Sequence, residues 1–306
     1  MINGLLSACD QRYISKSSCK THDICTYKEF CPQGCESCLN YIHTPSSAPA
    51  DAPKRKYDCY HMADFYVCKY ACRYTSEMIY ALRRLKDLSN KKNIKELSFG
   101  CGPCTDLLAL EYLQSQSEYT FTSLEYRGVD YSEDVWEKIH KDIKSLSPSG
   151  IEAKFYYQDI CEFINRIAEG RWIPDLVTFQ YFLSDLRKHS ETQSVINFLR
   201  VFANFSNNYM PSGSYIVLND VNLGKDYGGG REYFDRLCDF LENCTHVKGR
   251  FHNEHSRGGY YARGYPYGED SDGEFPSNAN IFNLKELTRY TPFDTCASAQ
   301  MLIKRK

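Results

Sequence analysis

The chain has 306 residues, enough for one α/β domain and a smaller additional segment. Apolar residues make up 42% and charged residues 25%, which is typical of a globular protein. The formal net charge of −2 excludes a strongly basic protein, so nucleic-acid binding would need a local basic patch. No apolar run approaches the roughly 20 residues of a membrane span, and the first ten residues lack the pattern of a signal peptide. We expect no membrane partner and a cytoplasmic location.

Cysteine is concentrated near the start of the chain. Nine of the fifteen cysteines fall within the first 72 residues. In a reducing compartment such clustering favours metal ligation over disulfides. Residues 1–58 also have few periodic apolar positions, and a segment with so small an apolar core needs a metal or another cross-link to stabilise its fold. We therefore predict a cysteine-rich, metal-binding annex over 1–58 and a larger domain over 59–306.

The tightest cysteine cluster is the stretch 31–38, Cys-Pro-Gln-Gly-Cys-Glu-Ser-Cys. Its C-x₂-C pair, next to glycine and proline, is typical of a knuckle that directs two thiolates at one zinc ion. The predicted ligands are Cys25, Cys31, Cys35 and Cys38, with Cys59 as an alternative to Cys25 and His43 and His61 as further options. Buried free thiols are the alternative interpretation.

The same C-x₃-C-x₂-C string resembles the cluster-binding motif of radical S-adenosylmethionine enzymes. That family generally has an aromatic residue just before the last cysteine, where this chain has Ser37. The repeated strand–helix units of its barrel are also missing downstream. We therefore place zinc ahead of an iron–sulfur cluster.

A helical pattern follows the annex. Residues 44–53 are rich in Pro, Ala and Ser and indicate an exposed linker. From about His61 to Leu88 the spacing predicts a helix or helix pair, with Tyr66, Tyr70 and Tyr74 on one face. We favour core packing for these tyrosines, and the alternative is that a hydroxyl contacts a cofactor's carboxylate.

The next stretch, 94–110, predicts a strand, a tight glycine turn and a helix. The turn reads Gly100-Cys101-Gly102-Pro103-Cys104, and such a turn lets a ligand approach bare backbone at a helix N-terminus. These residues resemble the first motif of class I, Rossmann-like, S-adenosylmethionine-dependent methyltransferases. The sequence departs from that motif at Cys104, where the family usually has its last glycine.

The strand ends that follow agree with this resemblance in chain order. Asp130 ends a second strand, 28 residues beyond Gly102, where an acid can accept hydrogen bonds from ribose hydroxyls. The third strand ends in Asp159-Ile160 and the fourth in Gln180. A fifth strand leads to Asp220.

The resemblance implies an α/β fold with a mostly parallel seven-stranded sheet and helices on both faces. It also implies S-adenosylmethionine as the cofactor, with the backbone of the glycine turn at its methionine part. The implied cofactor-binding residues are Gly100, Cys101, Gly102, Asp130, Tyr131, Asp159, Ile160 and Gln180. Those expected to orient or deprotonate the methyl acceptor are Tyr181, Asp185 and Asp220.

No sequence motif identifies the methyl acceptor. The segment 180–185 contains neither the Asn/Asp-Pro-Pro-Tyr/Phe signature that resembles amino-group methylation of bases nor the Pro-Cys pair of cytosine C5 methyltransferases. The polar stretch 249–279 is rich in tyrosine and arginine, side chains that stack on planar groups and bind anions. We predict that it closes over a planar or anionic acceptor, RNA included, before a last strand at 295–304.

Three other functions share parts of this pattern. A nicotinamide-dependent oxidoreductase would have a third glycine near Thr105, which this chain lacks. A non-catalytic nucleotide- or metal-binding module would keep the fold without the chemistry. A small-molecule methyltransferase would use the same cofactor site with another acceptor.

Overall fold

The computed structural model describes residues 1–15, 27–32, 34–222, 230–250, 280–296 and 298–306. Their centre is a seven-stranded sheet in the order β3-β2-β1-β4-β5-β7-β6. The strands are β1 (Asn93–Phe99), β2 (Ser123–Asp130), β3 (Ile151–Tyr157), β4 (Leu176–Gln180), β5 (Tyr215–Val221), β6 (Cys244–Arg250) and β7 (Ser298–Arg305). Strands β1 to β5 pair in parallel, and β7 runs antiparallel to both β5 and β6. The expected Rossmann-like methyltransferase fold is confirmed.

Helices cover both faces of this sheet. They are α1 (Ile2–Ile14), α2 (Cys35–His43), α3 (Tyr60–Leu82), α4 (Lys86–Ser89), α5 (Thr105–Ser115), α6 (Glu133–Leu146), α7 (Ile160–Glu169), α8 (Phe182–His189), α9 (Thr192–Tyr209) and α10 (Glu232–Phe240). Short 3₁₀ turns lie at Lys28–Phe30, Pro45–Ser47 and Lys285–Tyr290. Within the described residues, no helix is long and apolar enough to cross a membrane.

Two apolar clusters hold the layers together. One cluster joins one face of the sheet to α3, α5 and α6, with α1 and α2 packed on these helices, and the other joins the opposite face to α7, α8, α9 and α10. Neighbouring residues in a strand alternate between the clusters: Leu176 belongs to the first and Val177 to the second. This alternation follows from the two-residue repeat of a strand, and it explains why the central strands have apolar residues on both sides.

The order of the strands places a crevice above β1. The chain runs from β1 outward to β2 and β3, and then returns to β4 on the other side of β1. In open α/β sheets, ligands bind at such a switch point, beyond the carboxyl ends of the strands. The turn 100–104 lies at this point.

Three elements differ from the sequence-based expectations. Helix α1 was not expected in the annex; its Ile2, Leu5 and Leu6 are buried, and it packs on α3 and α6. Strand β6 was also missed, because its residues alternate only weakly. The predicted insertion 249–279 therefore begins inside β6, and residues 251–279 lie outside the described residues. The boundary at residue 58 stays a prediction.

Candidate functional site

The turn between β1 and α5 has the conformation that its glycines permit. Gly100, Gly102 and Cys104 have positive φ values of 60°, 42° and 57°. The N–H groups of Gly100 and Cys101 donate to the carbonyl of Val129 on β2, at 2.9 and 3.2 Å. A β-carbon on Gly100 would lie 2.6 Å from the ring of Phe182. The first glycine is thus required both by its φ value and by the close approach of α8.

Asp130 at the end of β2 ties this turn to the neighbouring strand. Its Oδ2 accepts the N–H of Gly102 at 3.0 Å, and its Oδ1 accepts those of Tyr131 and Ser132 at 2.8 and 3.1 Å. Burial raises the pKa of Asp130, although these three donors work in the opposite direction. The carboxylate borders the main cavity, and each carboxylate oxygen can accept more than one hydrogen bond.

The third strand end presents a further carboxylate and an apolar neighbour. Asp159 caps helix α7 by accepting the N–H of Glu162 at 3.0 Å. Ile160 begins the helix, and both residues line the same cavity as Asp130. Tyr131 also lines it and is 87% exposed. A freely accessible ring at the cavity rim is a surface on which a planar group can stack.

The cavity has a volume of about 1540 Å³ and runs beyond these strand ends. Its second half lies under α2, α3 and the segment 53–58 and is rich in aromatic rings. The aromatic residues lining that half are His43, Tyr57, Tyr66, Tyr70, Tyr74, Trp136, Tyr181 and Phe293. We call these eight residues the aromatic chamber.

The rings of the aromatic chamber contact one another as a chain. Tyr70 and Tyr74 stack with ring centroids 5.3 Å apart, and Tyr74 lies 4.1 Å from Tyr181. Tyr66 connects this stack to Trp136 on α6, at 5.8 Å. The tyrosine face of α3 therefore borders the cavity as well as packing, so the interpretation of core packing alone was incomplete.

A buried carboxylate sets the orientation of several of these groups. Glu77 on α3 accepts from Arg73 Nε at 3.1 Å, from the Tyr181 hydroxyl at 2.9 Å and from Asn219 Nδ2 at 3.0 Å. The Glu77 side chain has no exposed surface. Arg73 lines the cavity, with its guanidinium carbon 4.8 Å from the centroid of the Phe293 ring. A guanidinium has five N–H donors, and those not directed at Glu77 can meet an anionic ligand.

Gln180 at the end of β4 joins three elements rather than standing free. Its Oε1 accepts a short hydrogen bond from the Thr105 hydroxyl, and its Nε2 donates to the carbonyl of Tyr74 at 2.7 Å. Gln180 and Tyr181 both line the cavity. Tyr181 has a φ of 55° at the start of α8, which directs its ring into the aromatic chamber.

The two acids predicted on the acceptor side occupy different surroundings. Asp185 lines the cavity, with an oxygen 3.6 Å from His189 Nε2. Asp220 is 1% exposed, and its oxygens accept the N–H groups of Ser184 and Val221 at 3.0 and 2.7 Å. Burial raises the pKa of Asp220 to about 6. Both contacts are to backbone groups of the protein itself. The role of Asp220 toward an acceptor therefore stays a prediction.

Several residues that border the site were not identified from the sequence as ligand-binding groups. Arg73 lines the cavity and pairs with the buried Glu77 four residues further along α3, and this i, i+4 charge pair was a signal that the sequence offered. His43 had been considered only as a metal ligand. It borders the cavity with its Nε2 3.1 Å from the Tyr57 hydroxyl. Burial lowers the pKa of His43 to about 4, so the imidazole is neutral near pH 7.

Of the predicted metal ligands, Cys31, Cys35 and Cys38 do not line this cavity. Cys35 and Cys38 are buried in the first turns of α2, Cys31 precedes them, and Cys25 lies outside the described residues. Arg55 Nε donates to the sulfur of Cys38 at 3.0 Å. A cation bonded to a sulfur favours its thiolate form, which is the form that ligates metals. Zinc at this position stays a prediction.

A second group of potential ligands lies in the glycine turn. The sulfurs of Cys101 and Cys104 and the Nε2 of His140 all lie within 4.8 Å of one another. It is the one group of three potential metal-ligand side chains found among the described residues, and all three are buried. His140 stacks on Phe155 with centroids 3.9 Å apart, and its Nδ1 lies 2.8 Å from the Tyr157 hydroxyl.

No family model and no curated protein matches the sequence. The chain is similar in structure to the plantazolicin methyltransferase BpumL in complex with S-adenosylhomocysteine (SAH), with 15% identity over 99% of each chain and a TM-score of 0.46. It is also similar to the plantazolicin methyltransferase BamL, with 15% identity over 89% of this chain and 96% of that chain and a TM-score of 0.48. For precorrin-6y C5,15-methyltransferase from Geobacter metallireducens the identity is 11%, the coverage 74% and 87%, and the TM-score 0.39.

Proposed function

We propose that the protein binds S-adenosylmethionine at the ends of β1, β2 and β3 and transfers its methyl group to an acceptor in the aromatic chamber. The observation that carries this proposal is the continuity of the cavity, which borders Gly100, Asp130 and Asp159 at one end and Tyr74 and Tyr181 at the other. Ligand pockets for one drug-sized molecule are usually about 300–1000 Å³. A volume of about 1540 Å³ therefore leaves room for two ligands side by side.

The residues at the strand ends fit the parts of this cofactor. Asp130 has acceptor capacity for ribose hydroxyls, and Tyr131 offers an exposed ring for stacking on adenine. The N-terminus of α5 and the turn 100–104 present backbone to the methionine part, and Arg73 can hold a carboxylate. The bound cofactor supplies an activated sulfonium methyl, so the protein's contribution is mainly to align the acceptor and exclude water.

The chemistry of the aromatic chamber favours a planar acceptor that has an anionic group. Stacked tyrosines offer flat apolar surfaces. Three cationic side chains, Lys54, Lys56 and Lys188, line the same half of the cavity, against the two acids Asp58 and Asp185. The neutral imidazole of His43 can exchange a hydrogen bond with an acceptor hydroxyl or amine. Both a small molecule and an extruded RNA base meet this description.

Calorimetric titration with SAH tests the cofactor assignment. We expect binding of SAH and little affinity for NAD. Asp130→Ala should weaken SAH binding by about 1.5–3 kcal/mol, the usual range for a hydrogen bond to a charged group. Glu137→Ala is the matched control, because it removes an acid of α6 that does not line the cavity. Equal affinity in the Asp130 variant would overturn the ribose assignment.

Transfer of a radiolabelled methyl group into fractionated cell extract tests the acceptor class. Label in the small-molecule or RNA fraction supports the proposed acceptor chemistry, whereas label confined to protein contradicts it. Tyr181→Phe keeps the ring in the chamber but removes the hydroxyl that donates to Glu77. It should lower methyl transfer more than SAH affinity if Tyr181 lies on the acceptor side. A protein that binds SAH and labels no fraction would favour a non-catalytic module.

A further inference from the structure

The two cysteines of the glycine turn are arranged as a thiol pair. The N–H of Cys104 donates to the carbonyl of Cys101 at 2.7 Å, which closes a four-residue turn. Such a turn holds its first and last α-carbons within about 7 Å, and disulfides usually join α-carbons about 4.4–6.8 Å apart. The two sulfurs already lie within 4.8 Å of each other. The backbone of this turn is therefore suited to a disulfide.

His140 completes the group without acting as a metal ligand. Its Nε2 lies 2.7 Å from the carbonyl oxygen of Gly102. A carbonyl oxygen only accepts, so this nitrogen must have a hydrogen and has no lone pair for a metal. The Cys104 sulfur lies 3.6 Å from the same carbonyl oxygen, so this side chain also contacts the backbone of the turn. Structural zinc sites also take four ligands, and the group among the described residues has three.

We propose that Cys101 and Cys104 form an oxidisable dithiol site whose disulfide weakens binding of the cofactor at the same turn. The second half of this statement rests on the proposed function. The first half, disulfide formation, depends only on the two thiols and an oxidant small enough to enter the cavity. Hydrogen peroxide is such an oxidant.

The chemistry balances with hydrogen peroxide as the oxidant. Cys101 lines the cavity, whereas Cys104 is fully buried behind it. Burial raises the pKa of Cys101, so its proton first passes along the hydrogen bond to the Cys104 sulfur. The Cys101 thiolate then attacks one peroxide oxygen and the O–O bond breaks. The departing oxygen takes up that proton, so a sulfenic acid and one water form. The Cys104 sulfur then attacks the Cys101 sulfur, the S–S bond forms, and a second water leaves. The two thiols lose two electrons, and their protons end in the two waters.

Cys104 is suited to the second step. Burial opposes its ionisation, but its hydrogen bond with Cys101 and the nearby His140 lower the pKa of Cys104 below its usual value. It also lies at the N-terminus of α5, where a helix favours negative charge. A thiolate is the nucleophilic form of cysteine. The buried member of the pair thus resolves an oxidised Cys101 before further oxidation takes place.

The disulfide would change the part of the turn that faces the cofactor. The Cys101 sulfur packs against Gly128 of β2, where a β-carbon would lie 2.7 Å from it. An S–S bond of about 2.05 Å requires the sulfurs to leave their present contacts. Gly102 lies between the two cysteines, and its N–H and carbonyl are bonded to Asp130 and His140. Movement of this residue disturbs the carboxylate assigned to the ribose.

Peptide mapping of the full-length wild-type protein tests disulfide formation. Tryptic cleavage after Lys95 and Arg127 gives one peptide, residues 96–127, with these two cysteines and no other. After peroxide treatment we expect this peptide to resist alkylation and to lack the mass of two hydrogen atoms, and dithiothreitol should restore both. The site is overturned if both cysteines stay alkylatable, if they pair with other cysteines, or if zinc protects them in the reduced protein.

Calorimetry with SAH on reduced and oxidised protein tests the coupling. We expect affinity to fall about 5- to 150-fold on oxidation, the usual range for coupled sites. By reciprocity, saturating SAH should favour the reduced dithiol and raise the reduction potential of the pair by about 30 mV for each tenfold change in affinity. Cys104→Ser should remove the response to peroxide. Cys161→Ser, which removes another thiol lining the cavity, should keep it.

The outcomes separate this inference from the proposed function. A mapped disulfide with unchanged SAH affinity would overturn the coupling and leave cofactor binding intact. Reduced protein that binds no SAH would overturn both the proposed function and the coupling, whereas peptide mapping still decides on the dithiol site. Should Cys104→Ser not fold, the comparison of reduced and oxidised wild-type protein is sufficient.

Discussion

Single residues at the strand ends determine the cofactor side of the cavity. Gly100, Gly102, Asp130 and Asp159 were identified from the sequence because each stands at the end of an apolar run. Parallel strands place their carboxyl ends along one edge of the sheet, so residues far apart in the chain meet there. The structure brings all four to the border of one cavity. Their contacts to a bound cofactor stay a prediction.

Residues supplied by helices before the sheet were harder to identify. Arg73 and His43 border the cavity because α2 and α3 pack over this side of the sheet, and the buried Glu77 pairs with Arg73. Periodicity shows which face of a helix is apolar, but it does not show what a polar residue on that face will meet. The half of the cavity that we propose for the acceptor therefore could not be predicted from the sequence.

We expect Gly100→Ala to destabilise the protein more than Gly213→Ala. Both glycines have positive φ values, 60° and 84°, and an alanine in such a conformation costs about 1–2 kcal/mol. A β-carbon at Gly213 has nothing within 4 Å, whereas at Gly100 it lies 2.6 Å from Phe182. Urea unfolding of both variants measures the cost of that collision separately from backbone strain. Equal losses would show that α8 shifts freely.

We expect His43 to make stability depend on pH. Folded His43 has a pKa of about 4, whereas unfolded His43 has its ordinary value of 6.5. Between these values the unfolded state binds more protons, so the free energy of unfolding falls as the pH is lowered from 6.5 to 4. The slope is at most about 1.4 kcal/mol per pH unit. Asp220, whose pKa is raised to about 6, has the opposite effect within this window.

The difference between wild type and His43→Asn isolates this contribution, because Asp220 is common to both proteins. Unfolding free energies measured by urea titration from pH 7 to pH 4 should converge as the pH falls, since only the wild type loses the stability due to neutral His43. Tyr57→Phe removes the hydrogen bond at 3.1 Å but keeps the imidazole. It should therefore keep the pH dependence. Parallel curves for wild type and His43→Asn would contradict the lowered pKa.

At the scale of elements, helix α3 connects the sheet to the aromatic chamber. Nineteen of its 23 residues are buried, so both its faces pack and one of them also borders the cavity. The sequence predicted the helix and its tyrosine face, because a four-residue repeat is a strong signal. It did not predict α1 or β6, since elements at the edges of a fold depend on tertiary packing more than on sequence pattern.

We expect Glu77→Gln to lower the free energy of unfolding by about 3–5 kcal/mol, the usual cost of breaking a buried ion pair. The substitution keeps the shape of the side chain but leaves the Arg73 guanidinium without its carboxylate. Glu137→Gln on α6 breaks an exposed pair with Lys141 at the same i, i+4 spacing and should cause no measurable change. Urea unfolding compares the two, and similar results would show that the Arg73–Glu77 pair is not structural.

At the scale of the whole molecule, the described parts of the first 58 residues pack more closely on the sheet domain than the sequence indicated. Helix α1 is part of the core, and Leu39 and Ile42 of α2 are buried in the same apolar cluster as α3. The sequence pattern missed this because each helix has a small apolar face that is completed by distant helices, α3 and α6 for α1 and α3 for α2. A structural metal is therefore needed to stabilise the stretch around α2 more than the segment as a whole.

We expect the purified protein to contain about one zinc ion per chain, held near α2. Cys35 and Cys38 lie three residues apart in the first turns of that helix, and a buried Arg55 donates to the Cys38 sulfur. Because metal binding supplies folding free energy locally, removing zinc with a chelator should increase hydrogen exchange over residues 27–43. Strands β1 to β5 should stay protected, since their hydrogen bonds do not depend on this segment.

Elemental analysis of two variants ties the metal to its ligands. Cys35→Ser should lose zinc, because serine does not provide a thiolate, whereas Cys244→Ser at the start of β6 should retain it. The loss of zinc should not change SAH affinity if the metal is purely structural, since Cys31, Cys35 and Cys38 do not line the cavity. Zinc-free protein with an unchanged exchange pattern over α2 would mean that the packing of Leu39 and Ile42 on α3 is sufficient to hold the helix.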